Sequence, residues 1–425
     1  MTEIILENAR QAVTEAPPVG DEAYLTFAEA IETRLRRHWP EVVAANERDL
    51  AAGRAKQLSG PMLDRMRLTD GHLDRLAELA RLVRKDLPAV SRPGSEFHGL
   101  QRSTARRVPR PLGVLLMIYE ARPMVTVDSA ILSACTGNAV LLRGGSEISR
   151  SNAALAVVID EALRDARLPA DLVQVLHDLD RAGLRELLRR DDAIDVLVPR
   201  GSPTLVDYCR TTSRIPLIVG GAGVNHLYVH SSADPALAAR LILDSKLPDP
   251  AGCTALEMLL LDESVADDVL TALARHADEP DLKGLALRVP GELARRLPDR
   301  LADVVQVQEI GPHDDGREFL DRTLAVRTVP GLVEASAHIR RHSSGHTDGV
   351  VATDREAIAE FCRRMDSAAV VVNGSLRLHD GPSLGIGAEI AISTGRTHVR
   401  GPVTLAALLT YSWIVEGEGS VRFRT

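Results

Sequence analysis

The chain has 425 residues, of which 45% are hydrophobic and 26% charged, a globular balance that excludes a wholly disordered protein. At ~150 residues per domain, this length allows two or three domains and a sizeable core. The formal charge is −8 and no lysine- or arginine-rich block occurs, so nucleic acid and anionic membrane surfaces are poor partners.

The N-terminal residues carry acid early and show no basic segment followed by an apolar one, so no secretory signal is visible. No uninterrupted apolar stretch approaches the ~18–20 residues needed to span a bilayer. Cys135, Cys209, Cys253 and Cys362 form no CxxC pair, which indicates neither a disulfide framework nor a zinc site. A reducing cytoplasm is the expected setting.

Residues 1–90 read as helical: segments 24–37 and 64–83 repeat apolar residues at three- and four-residue spacing. From about residue 112 the period changes. Residues 113–118 form a short continuous apolar run, as in a strand buried on both faces. Helices are then expected at 129–136, 151–166, 181–190 and 205–211. Strands are expected at 139–142, 172–176, 194–198 and 215–219. This alternation, with short Gly/Pro connectors, predicts a mostly parallel sheet covered on both faces. A second α/β series runs from about 227 to 365. Within it, residues 277–323 are rich in Pro, Asp and Arg and read as the most irregular, solvent-exposed stretch.

Cys253 follows Pro250-Ala-Gly in a connector, where backbone can approach a ligand and a thiolate is accessible. On spacing alone it is either a nucleophile or a packed loop cysteine, with no legible His/Asp partner. The other three cysteines sit in apolar helical settings and are expected to be small buried hydrophobes.

Two strand-to-helix turns could seat a phosphate: Arg143-Gly-Gly-Ser146 with Glu147, and Arg200-Gly201-Ser202, which opens a helix. Exposed backbone N–H groups and the positive helix end favour an anion there, and each arginine adds charge. Neither is GxGxxG, and both are equally readable as ordinary α/β turns. Gly220-Gly-Ala-Gly223 could simply let a strand pass close to another element. The loop 375–381, flanked by Val372-Asn-Gly374 and Gly385-Ile-Gly-Ala-Glu389, reads as solvated turn. His346-Thr-Asp348 could orient a substrate or make a structural hydrogen bond.

Taken together, these segments resemble the γ-glutamyl phosphate reductase (glutamate-5-semialdehyde dehydrogenase) family of the aldehyde dehydrogenase superfamily. The matching pieces are Pro111-Leu-Gly113-Val, Ile118-Tyr-Glu-Ala-Arg-Pro123, Val125-Thr-Val-Asp128 and Gly137 to Glu147. Next come Pro199-Arg-Gly201, Gly220 to Gly223 with His226, Cys253 with Glu257, and His346-Thr-Asp348. The last pieces are Asp366-Ser-Ala-Ala369, Val372-Asn373, Gly385 to Glu389 and His398 to Pro402. They run in the family's order across roughly residues 105–420.

The resemblance implies an aldehyde dehydrogenase-like α/β fold with two Rossmann-like domains and a small β oligomerisation segment. The NADP-binding domain would comprise 1–103 and 122–228, with 366–395 returning to it. A catalytic domain would span 229–365, and the oligomerisation segment 104–121 and 396–425, in a homodimer or homotetramer. The implied chemistry is NADPH-dependent reduction of L-glutamyl 5-phosphate to the semialdehyde in proline biosynthesis, through a thioester on Cys253. By the same resemblance, Arg143, Ser146 and Glu147 fall at the adenosine ribose, and Arg200, Gly201 and Ser202 near the pyrophosphate. Glu318 falls at the nicotinamide ribose, and Arg122, Lys246, Thr254 and His346 on the substrate side. No metal is implied.

Ile218-Val219 stand where hydrolytic relatives carry the glutamate that activates water, which favours a persistent thioester. Several positions depart from the family pattern. Met124 and Thr254 replace Asn, Asp249 replaces Arg, Asn225 replaces a frequent Cys, and Leu378 and Leu384 replace aromatics. The Asp249 charge reversal near the nucleophile leaves open the same chemistry on another acyl phosphate or thioester. A non-catalytic nucleotide-binding relative is the remaining alternative.

Overall fold

A computed structural model describes residues 2–99, 103–177 and 179–421. The amphipathic N-terminal region forms α1 (Thr2–Glu15), α2 (Glu22–Ala55), α3 (Gly60–Met66) and α4 (Asp70–Val90). Segment 64–83 is therefore not one helix. It breaks at Arg67–Thr69, where buried Asn46 on α2 accepts from the Leu68 N–H (2.9 Å) and donates to the Met66 carbonyl (2.7 Å). Such a buried, satisfied side chain replaces the helical partners lost at the break. Tyr24, Phe27, Ile31 and Leu35 line one buried stripe of α2 in the same core as Leu6 of α1, each burial contributing roughly 1.5–3 kcal/mol.

After β1 (Glu96–His98) and β2 (Thr104–Pro111) comes the first parallel sheet. It contains β3 (Val114–Tyr119), β4 (Ala139–Gly144), β5 (Val173–Val175) and β6 (Val196–Arg200), in the order β5-β4-β3-β6. The intervening helices are α5 (Met124–Cys135), α6 (Ser149–Asp165) and α7 (Arg181–Leu187), and α8 (Pro203–Thr212) follows β6. β3 is buried along its whole length, as its unbroken apolar run requires. It is one of the two inner strands of this sheet, a correction to its expected place in an oligomerisation segment over 104–121. Residues 215–219 form no strand and touch β6 only through a single Leu197–Leu217 bridge. They run past the sheet edge into the glycine stretch.

The second parallel sheet has seven strands in the order β10-β9-β11-β8-β7-β12-β13. In chain order they and their helices are β7 (Asn225–Val229), α9 (Pro235–Lys246), β8 (Leu256–Asp262), α10 (Ala266–Ala274), β9 (Ala286–Val289), α11 (Gly291–Ala294), α12 (Asp299–Ala302), β10 (Gln306–Glu309), β11 (Thr323–Val329), α13 (Leu332–His342), β12 (Thr347–Val351), α14 (Arg355–Arg364) and β13 (Ala369–Val372).

Three expectations are corrected here. Residues 277–323 are an ordered flank, carrying β9, β10 and the buried Leu282, Leu285, Leu287, Leu293 and Leu301. β13 pairs with β12, so the part of 366–395 up to Val372 joins this sheet and not the first domain. Cys362 is exposed on α14.

The chain then returns. β14 (Glu389–Ser393) pairs with β15 (Gly401–Thr404) and packs on α5, with Ile390 and Ala391 in the first core. Finally β16 (Leu409–Glu416) pairs with β2, which pairs with β1, as a small antiparallel sheet. Residues 422–425 of the expected oligomerisation segment lie outside the described residues.

Candidate active site

In the first sheet the strand order reverses between β3 and β6, and open α/β sheets present a crevice at the carboxyl ends of such strands. There β3 leads into Glu120-Ala121-Arg122, and β6 ends in Arg200-Gly201-Ser202. The two turns are tied together. Glu120 donates its N–H to the Arg200 carbonyl (3.1 Å), and its carboxylate accepts from Ser202 N–H (2.8 Å). A carboxylate at the start of the ten-residue α8 shows that this helix end receives negative charge.

Ala121 has φ of 49°, a left-handed conformation costly for a residue with Cβ, and its N–H donates to Glu147 (2.7 Å). That bend aims Arg122 toward Cys253. Burial and the neighbouring Arg200 guanidinium pull Arg122 down to about 10. Among the described residues its guanidinium makes no hydrogen bond.

The other wall comes from the amino ends of the second sheet. Cys253 lies in the loop between α9 and β8, and two devices fix that loop. Asn225 at the start of β7 donates to the carbonyls of Cys253 (2.8 Å) and Ala255 (2.7 Å) and accepts from Thr347 N–H (3.1 Å). At the loop's base, Lys246 Nζ meets Glu257 Oε2 at 2.8 Å, both side chains 1% exposed. Burial pushes the Glu257 carboxyl up and the Lys246 ammonium down, each opposed by its partner.

Gly223 runs against this loop: a Cβ there would lie 2.2 Å from the Cys253 carbonyl oxygen. Its N–H donates to Glu318 (2.7 Å), which precedes Leu320, another residue in the left-handed region at φ 59°. Gly220 and Gly221 press on Ile392 and Thr394, so the glycine stretch is a close-approach device linking β14 to the cysteine.

Cys253 reaches solvent but is crowded by the cleft, and that desolvation raises its thiol above the ordinary value. Arg200 and Arg122 oppose the rise, while Glu389 and Glu318 add to it. Glu389, whose Oε2 accepts from Gly381 N–H (3.0 Å), is itself pushed up to about 7 by burial.

The structure thus gathers Cys253, Arg122, Arg200 and Glu318 around one cleft. Thr254 follows the cysteine, half-buried. Gly201 and Ser202 open α8 beside Arg200. Arg143 and Ser146 sit at the end of β4, and the Nε atoms of both Arg143 and Arg200 are buried without a hydrogen-bond partner.

Two expected substrate contacts are corrected. Lys246 is buried against Glu257, so it supports the loop and offers no cation to a ligand. His346 is buried, its Nδ1 against Thr347 Oγ1 (2.7 Å), and burial holds it near 3, uncharged. It is not bonded to Asp348, which accepts from Ser343 (2.7 Å), Ser367 and the His226 N–H (3.0 Å).

Asn225, Gly223, Glu257 and Asp128 were not foreseen as site residues. Asn225 and Gly223 act on partners 28 or more positions away, and Glu257 on Lys246 11 positions away; the motif matches at Gly220–Gly223, Glu257 and Asp128 carried what signal there was.

The sequence model of the aldehyde dehydrogenase family matches residues 7–284. A γ-glutamyl phosphate reductase of Roseiflexus castenholzii is 43% identical over 385 residues, covering 90% of this chain and 89% of that one. One of Psychromonas ingrahamii is 39% identical, covering 97% and 98%. The crystal structure of γ-glutamyl phosphate reductase from Thermotoga maritima superposes with a TM-score of 0.89 at 30% identity, covering 99% of this chain and 100% of that one. The chain belongs to the aldehyde dehydrogenase family and, within it, to the γ-glutamyl phosphate reductases.

Proposed function

We propose that this protein reduces L-glutamyl 5-phosphate to L-glutamate 5-semialdehyde and phosphate, a step of proline biosynthesis, with NADPH as reductant and Cys253 as nucleophile. The observation that carries the proposal is a solvent-accessible thiol facing two guanidinium groups, Arg122 and Arg200, in a chain of this family.

Cys253 as thiolate attacks the acyl carbon, the carbon–oxygen bond to phosphate breaks, and phosphate leaves with that electron pair. Arg122 and Arg200 hold the departing anion and also favour the thiolate. Asn225 and the Lys246–Glu257 pair keep the loop in place while the thioester exists. Ile218 and Val219 put no water-activating base beside it.

The nicotinamide cofactor, when bound, supplies the hydride that reduces the acyl group. Arg143, whose buried Nε lacks a partner, together with Ser146, Gly201 and Ser202, are the residues to hold its phosphates and adenosine ribose. Glu147 and Glu318 would take its two ribose hydroxyl sets. Thr254 borders the acyl chain.

The departure at Asp249 favours no second substrate. Its side chain is exposed and folds back over Gly252, at 2.6 Å from where a Cβ would stand.

The β1-β2-β16 sheet shows Phe97, Tyr411, Trp413 and Val415 half to two-thirds exposed, with Arg107 over the Tyr411 and Trp413 rings. A second copy covering that face gives a homodimer or homotetramer. No helix among the described residues is long and apolar enough to cross a membrane. Four free cysteines accord with a cytoplasmic setting.

The test is phosphate-dependent reduction of NADP+ by the purified protein with L-glutamate 5-semialdehyde, run beside NAD+. Turnover that needs phosphate and favours NADP+ supports the proposal. Turnover without phosphate, or none, contradicts it.

A further inference from the structure

Helix α5 is buried along its length except at Met124 and Asp128, one turn apart on one face. The helix begins directly after Arg122-Pro123, at the carboxyl end of β3. It packs on β14, whose far end presses on the glycine stretch that meets Cys253. Arg200, which faces Asp128, also faces Cys253, so the open strip of α5 borders the cleft of the nucleophile.

Among the described residues the Asp128 carboxylate accepts no hydrogen bond, although this helix is otherwise enclosed. The charges that face it are Arg200, at the end of β6, and Arg75, on α4. Burial outweighs both and lifts its acid up to about 7, the mark of a carboxylate short of a positive partner. The other cleft carboxylates are engaged: Glu389 accepts from Gly381, Glu318 from Gly223, and Glu120 from Ser202.

The cleft thus offers two guanidinium groups and one carboxylate without a partner. An acyl phosphate that carries a carboxylate and an ammonium presents the complementary set: two anionic groups and one cation.

We propose that Asp128 is a specificity-determining residue that receives the substrate's ammonium group, so that the site selects amine-bearing acyl phosphates over amine-free ones. The proposal rests on the reductase reading above. Arg122 and Arg200 take the anionic groups, and Met124, the other open position of the strip, lies beside the intervening methylenes.

The experiment compares L-glutamate 5-semialdehyde with 5-oxopentanoate, the same chain without its amino group, in the phosphate-dependent oxidation by wild type and Asp128→Asn. Wild type should favour the amine-bearing aldehyde in kcat/KM by roughly 30- to 100-fold, the cost of leaving a buried charge unpaired. Asp128→Asn should lose most of that preference through a raised KM for the semialdehyde, while 5-oxopentanoate changes less than about threefold.

Equal losses on both aldehydes would assign Asp128 to holding Arg200 and overturn the inference, and so would no loss. If the variant does not fold, wild type alone decides, because equal kcat/KM for the two aldehydes overturns it. Wild-type inactivity on both would defeat the reductase reading itself, and this inference with it.

Discussion

The two walls of the cleft are built on opposite principles. On the cysteine wall the polar groups satisfy one another: Lys246 with Glu257, Asn225 with three backbone groups, Gly223 with Glu318. On the facing wall the side chains of Arg122 and Asp128 have no hydrogen-bond partner among the described residues, and the Nε atoms of Arg143 and Arg200 are buried without one. Internally paired groups make a scaffold that holds a nucleophile still. Groups without partners carry a desolvation cost that a ligand can relieve, so they mark where binding energy is available.

That contrast can be broken most severely from the scaffold side. Lys246→Met leaves Glu257 buried and uncompensated, which should cost about 3–5 kcal/mol in urea unfolding. The double variant Lys246→Met/Glu257→Leu should recover much of that loss, because a buried pair is worth little against apolar packing. Gly223→Ala drives a methyl into the Cys253 backbone, and displacement of the nucleophile by a few tenths of an ångström or more should lower kcat on the order of 100-fold. Its melting temperature should fall as well, because the methyl overlaps the Cys253 backbone and the loop must shift to admit it.

On the ligand wall the sign of the effects reverses. Arg122→Gln should raise the KM for phosphate in the oxidative direction roughly 10- to 100-fold, with stability kept or improved, since a buried cation without a partner is removed.

The smallest effect sharpens the electrostatics of the thiol. Because Arg200 favours the Cys253 thiolate, Arg200→Met should push the already raised thiol further up. The pH profile of iodoacetamide labelling at Cys253 would then move to higher pH. An unmoved profile would place Arg200 away from the sulfur.

The sequence revealed the two walls unequally, for physical reasons. Strands such as β3 and β4 are buried on both faces, so they print as unbroken apolar runs, and the helices between them keep their 3.6-residue period. The flank 277–323 was hidden because its strands have four residues each and β10 is wholly exposed, while its buried leucines are scattered among prolines and arginines. Residues 215–219 carry a strand's composition but make one bridge, since pairing depends on a neighbour that the sequence does not display.

Cys253 and Arg122 were legible through motifs. Lys246 was legible as important but not in its role, because burial against Glu257 is a property of how α9 meets β8. Asp128 lay inside a matching motif, yet its distinction, an open position on an enclosed helix, exists only in three dimensions.

The central claim is that Cys253 carries the acyl group between phosphate and the reductant. The most direct test follows NADPH formation from L-glutamate 5-semialdehyde at increasing phosphate, with wild type and Cys253→Ala side by side. The account predicts a wild-type rate that rises with phosphate and saturates, and no measurable rate in the variant at equal fold content. A Cys253→Ala protein that still makes NADPH in a phosphate-dependent way would contradict it.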